Sequence, residues 1–147
     1  MIPSLPTTLN GIARTLLMDL APQLQNAYAG QTLQISAALL MMVAQEFDRA
    51  AARLVEENDA LLALFAGAVA VATDDGLRTA LADSAAGSST LRVSALHERN
   101  RALRALLVRL HAHVESLPGD AARLLEARIW TELAESTRRR QLDLAIG

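Results

Sequence analysis

Between Met1 and Gln45 the chain carries two charged side chains, Arg14 and Asp19, and residues 60–73 carry none. Few sequence features constrain a fold more. A helix lying on a protein surface shows a polar face opposite its apolar one, and these stretches barely have one. They must be enclosed, either by the chain itself or by something outside it.

The residues in them are those of helices. Of 147 positions, 29 are Ala and 27 are Leu, while aromatic residues make up 3%. Such a composition favours helix over sheet. It is too apolar, and its charge too balanced, for a disordered chain. The length suits one domain with a real core, and no Pro/Gly/Ser linker divides it. The expectation is a single all-helical domain over 1–147, an antiparallel bundle of about five helices, four long and at least one short, dimerised through its charge-poor helices.

Helical spacing places the elements. Leu9, Ile12, Leu16, Leu20 and Leu24 recur at three and four residues after Pro6, so a first helix is expected from Thr7 or Thr8. Pro22 should kink or break it near Leu20–Ala21, or open a short helix capped by Asp19. Gly30 reads as a stop. A second helix is expected from Gln31 or Thr32 to Glu57, and Asn58-Asp59 reads as the cap of a third. The apolar run 60–72 is shorter than the roughly 20 residues that span a bilayer. It ends in the turn signal Thr73-Asp74-Asp75-Gly76, so no membrane span is expected. A short helical piece follows over 77–82, then a loop at 85–89. A long helix is expected over 90–116, then a turn at Leu117-Pro118-Gly119-Asp120, then a last helix over 121–142. Arg138, Arg139 and Arg140 fall where cations complement a helix C-terminus.

The sharpest motif lies in the long fourth helix. Leu96, Leu103, Leu110 and Leu117 are seven residues apart, and so are Val93, Asn100, Leu107 and Val114. This heptad places Asn100 at a core position, where a buried polar residue sets register in paired helices. The heptad suits packing within the chain, with packing across a subunit interface as the alternative. No basic helix precedes it, so a DNA-binding zipper is excluded. With a formal net charge of −2, all 14 cations Arg and the basic residues interleaved with acids, no nucleic-acid partner is expected.

Chemistry finds little support. Without Cys there is no disulfide, thiolate metal site or thiol nucleophile. Without Lys there is no phosphate-loop lysine and no Schiff base; Gly87-Ser88-Ser89-Thr90 reads as a loop before a helix. His97 and His111 stand 14 residues apart, about 21 Å along a helix, too far to share an ion. His111 and Glu115, four apart, are the metal-ligand candidates, equally readable as a surface pair. No Glu has His three residues later, so the di-iron bundle signature is absent. Ser94 lies one turn from His97, but no strained nucleophile turn accompanies it. No catalytic residue and no cofactor is assigned.

The expected function is therefore a non-catalytic interaction or assembly protein forming a homodimer, with Leu33, Leu40, Met41, Leu61, Leu64 and Phe65 as interface candidates. One alternative is a bundle that binds a small apolar ligand, lined by Leu39, Met41, Met42, Phe47 and Phe65. Another is a metal-dependent enzyme drawing on Glu46, Asp48, His111 and Glu115. The start, Met1-Ile2-Pro3-Ser4-Leu5-Pro6, has neither the basic region nor the apolar core of a secretory signal, and the expected location is the cytoplasm.

Overall fold

A computed structural model describes residues 3–86 and 90–142, and among these every regular element is helical. Five α-helices follow in order: α1 (Leu5–Thr15), α2 (Ala27–Ala68), α3 (Asp75–Asp83), α4 (Val93–Glu115) and α5 (Asp120–Arg139). The chain divides into two compact units. One reaches to Ala50 and takes in Leu142; the other is Ala51–Gln141. The boundary falls inside α2.

In the first unit, Ser4 caps α1 by accepting from the Thr7 amide at 3.3 Å, with Pro6 in the first turn. Pro22 acts as its chemistry requires. It has no amide hydrogen, and its ring excludes the carbonyl four residues back. The α-helical ladder gives way to a π turn over Leu16–Leu20, then a 3-10 turn over Ala21–Gln23. No side chain caps that turn, so Asp19 does not play the capping role expected of it.

Two expected boundaries move. Gly30 does not stop a helix, because α2 has already begun: Asn26 Oδ1 accepts from the amides of Tyr28 at 2.9 Å and Ala29 at 3.3 Å. Nor does Asn58 start a third helix. Its side chain is buried, donates to the Leu96 carbonyl at 3.4 Å and accepts from Asn100 at 2.9 Å. With the side chain so engaged, and strong helix formers on both sides, α2 continues for 42 residues.

The second unit holds the apolar core. The last turns of α2 contribute Leu61, Leu64, Phe65 and Ala68; α3 contributes Leu77 and Leu81; α5 contributes Ala122, Leu125 and Ile129. From α4 come Leu103, Leu107, Leu110 and Val114, the heptad positions, so that part of the heptad packs inside this chain. Each fully buried Leu stabilises the unit by roughly 1.5–3 kcal/mol relative to exposure. Asp74 caps α3 by accepting from the Leu77 amide at 2.6 Å. Before α5 the cap position belongs to Gly119, with φ +103°, a value a Cβ would strain. Asp120, the last residue of the expected turn, is the first residue of the helix and pairs with Arg123. The Gly87-Ser88-Ser89 part of the expected loop lies outside the described residues.

Gly67 has a specific neighbour. A Cβ there would meet Nη1 of Arg128, on α5, at 2.9 Å. That atom is the end of an exposed, flexible side chain and can move aside. Gly67→Ala is therefore expected to raise stability by about 0.5–1 kcal/mol, read as a higher denaturation midpoint. A lower midpoint would show that the Arg128 head is held in place.

Candidate functional site

The first unit buries small apolar side chains and exposes large ones. Its buried apolar positions are all alanines: Ala13, Ala37, Ala44 and Ala50. Ten large apolar side chains between Leu5 and Phe47 are 40–79% exposed: Leu5, Ile12, Met18, Leu20 and Leu24, then Tyr28, Ile35, Leu39, Val43 and Phe47 on α2. At about 100° per residue, Ile35, Leu39 and Val43 share one side of α2, with Ala37 and Ala44 on the other. The stripe from Tyr28 to Phe47 runs about 29 Å along the helix. The hydroxyls beside it are satisfied locally: Thr32 donates to the Tyr28 carbonyl at 3.0 Å and Ser36 to the Thr32 carbonyl at 2.9 Å.

Of the interface residues expected from sequence, Leu33, Leu40 and Met41 lie half-buried on this segment. Leu61, Leu64 and Phe65 do not face outward; they are core residues of the second unit, with Phe65 fully buried. The residues that do present an apolar face, Ile35, Leu39, Val43 and Phe47, follow the same period a half-turn away. The ligand-lining set separates likewise: Leu39 and Phe47 are exposed, Met41 and Met42 half-buried, and Phe65 inside the core. α2 is also the one helix among the described residues long and apolar enough to cross a bilayer, with an 18-residue window of mean hydropathy 1.3.

The second unit contains a caged carboxylate. Glu57, on α2, is fully buried. Arg140, just past the end of α5, grips it with two bonds, Nε to Oε1 at 2.9 Å and Nη2 to Oε2 at 2.6 Å. Arg53 Nη1 donates to Oε1 at 3.3 Å, and Arg104 Nη1 stands 3.8 Å from Oε2. Burial alone pushes the Glu57 carboxyl up. The Arg140 hydrogen bonds and charge, joined by those of Arg53, outweigh burial and hold it below the usual carboxylate value. Arg104 also donates to the buried Ser136 hydroxyl at 2.9 Å, which ties α4 to α5.

Asn100 completes this centre. Its Nδ2 donates to Glu57 Oε2 at 3.3 Å and to Asn58 Oδ1 at 2.9 Å. Asn100 is thus buried as the heptad implies, and within this chain it serves a buried acid. Asn100→Leu leaves both oxygens a donor short, which costs about 1–3 kcal/mol. Urea denaturation is expected to show a lower midpoint for Asn100→Leu. An unchanged or higher midpoint would mean that the two acceptors need no donor.

The three histidines have separate surroundings. His97 is exposed. His113 Nε2 accepts from the Thr73 amide at 3.1 Å and lies 3.2 Å from the Thr73 hydroxyl, fastening the loop after α2 to α4. His111 stacks edge-on against Trp130 of α5, ring centres 5.1 Å apart at 87°, and its Nε2 stands 3.7 Å from Glu115 Oε1. Glu126 of α5, which sequence spacing did not single out, joins this pair. Glu46 is half-buried and Asp48 exposed on α2. No family model matches the chain, and neither a curated protein nor a solved structure does.

Proposed function

We propose that this protein is a non-catalytic assembly module that forms a homodimer through the outward apolar face of its first unit. The observation that carries the reading is the inverted burial there, with alanines enclosed and ten large apolar side chains exposed. Five of the ten, Tyr28, Ile35, Leu39, Val43 and Phe47, share one stripe of α2, an apolar patch on the order of 500 Å², and patches of that extent are often functional.

The chemistry of the face favours a second copy. It has almost no charge with which to steer or select a charged partner. An isologous two-fold contact needs only a patch that fits itself. Gln31 and Gln34 expose carboxamides along the same stretch, and hydrocarbon would leave these without partners. The second unit suits the part of a support: four residues connect α4 to α5, and Arg104 and Arg140 reach the buried Glu57 carboxylate of α2. Size-exclusion chromatography with light scattering is expected to give the mass of two chains across micromolar concentrations. A single-chain mass throughout, or flotation of the detergent-free protein with phosphatidylcholine vesicles, overturns the reading.

A further inference from the structure

One cluster lies wholly within the second unit. His111 and Glu115 occupy adjacent turns of one face of α4, and Glu126 reaches the same point from α5. One ligand-type atom from each lies within 4.8 Å of the other two. His111 Nε2 is buried and makes no hydrogen bond to the described residues. A ring nitrogen so placed, with a carboxylate oxygen 3.7 Å away, lacks the partner its lone pair or proton requires. Trp130 packs its ring edge-to-face with the imidazole, which fixes the plane in which that nitrogen points.

We propose that His111, Glu115 and Glu126 bind a divalent transition-metal ion that clamps α4 to α5. Two atoms held by one ion at about 2.0–2.2 Å stand roughly 3.4 Å apart at a tetrahedral angle and at most about 4.4 Å apart. The His111–Glu115 pair is already inside that limit. From a separation of 4.8 Å, reaching the tetrahedral value takes a shift of about 1.4 Å, which the flexible carboxylates supply: Glu115 is exposed and Glu126 half-buried. One imidazole and two carboxylates favour zinc, cobalt or manganese over magnesium and calcium, which prefer all-oxygen shells. Two carboxylates balance the charge of a divalent ion, and water fills the remaining positions. The clamp is independent of the assembly reading, since none of its residues belongs to the first unit.

Isothermal titration of the full chain with zinc chloride is expected to show one saturable site per chain at micromolar concentration, with magnesium chloride giving none. Zinc is also expected to raise the melting temperature. Glu126→Gln, which keeps the side-chain volume, should weaken zinc binding roughly tenfold or more, and Glu115→Gln should do the same. His97→Gln, on an exposed histidine of the same helix, should leave binding unchanged. The inference is overturned by an absence of saturable zinc binding, by equal affinity in Glu126→Gln and the natural chain, or by a loss in His97→Gln as large as that in Glu126→Gln. Circular dichroism of each variant without metal confirms that it is folded before titration.

Discussion

Glu57→Ala is expected to lower the unfolding free energy by about 3 kcal/mol or more, on a par with truncating a buried core side chain such as Phe65. The reason is asymmetry. A buried ion pair contributes little net stability beyond what a packed apolar pair would, but removing one partner strands the other, at about 3–5 kcal/mol. Here one carboxylate serves three guanidinium groups and Asn100. The lower end applies because the side chains of Arg104 and Arg140 are 35% and 43% exposed and can turn toward water. In a unit of this size such a loss lowers the melting temperature by roughly 10–20 °C. Arg140→Ala, which removes a partly exposed member, should cost about 1 kcal/mol. If denaturant titration places Glu57→Ala within about 0.5 kcal/mol of the natural chain, the cage is not a stabilising centre.

The same carboxylate fixes a pH dependence. Its folded-state value lies below the ordinary one, so the unfolded chain takes up a proton first as the solution is acidified. The stability it contributes is complete above the unfolded value of about 4.3 and disappears as pH falls through the folded value. Glu135 is likewise held low, by Arg138, so the informative quantity is a difference. The gap in stability between the natural chain and Glu57→Gln should be widest near neutral pH and narrow progressively as the solution is acidified past the unfolded value. A gap that stays constant from neutral to acid would show that the Glu57 carboxyl is not held low.

Why the cage escapes a reading of sequence follows from its residues. Glu56-Glu57-Asn58-Asp59 looks like a solvated, helix-capping run, since Asn58 and Asp59 are both common cap residues. Yet Leu54, Glu57, Asn58, Leu61, Leu64, Phe65 and Ala68 keep a single three-and-four spacing. Glu57 and Asn58 stand inside that apolar stripe, and Asn100 stands inside the one on α4. Two polar interruptions on two buried stripes are the signal that they meet. Which residues meet depends on the register between helices, which the period of one helix cannot supply. Glu126 was illegible for the same reason: His111 and Glu115 share a helix and show themselves by spacing, whereas the third member arrives from α5. The heptad of α4 was legible because its four-three spacing is local. The unbroken α2 was not, because Asn58 is a good cap by propensity and was drawn into a buried hydrogen-bond pair by tertiary contacts.

The assembly reading makes an equally large prediction. Leu39→Glu is expected to convert the dimer to single chains while leaving the fold intact. Leu39 lies at the middle of the outward stripe of α2 and is 54% exposed in the chain by itself, so the substitution removes little from the chain's own packing. In an isologous contact it occurs twice, placing two carboxylates in a desolvated patch with almost no cations to receive them. Leaving a buried charge unpaired costs several kcal/mol, and each 1.4 kcal/mol is about tenfold in the dissociation constant. A loss of roughly 100-fold or more is therefore expected. Light scattering should then report one chain at concentrations where the natural protein reports two, with unchanged helical circular dichroism. Val108→Glu supplies the control. Val108 is 69% exposed on α4, away from the first unit's stripe in sequence and in unit, and the same charge there should leave the dimer mass unchanged. If Leu39→Glu remains a dimer, or if Val108→Glu disrupts it as strongly, the face of α2 is not what holds two copies together.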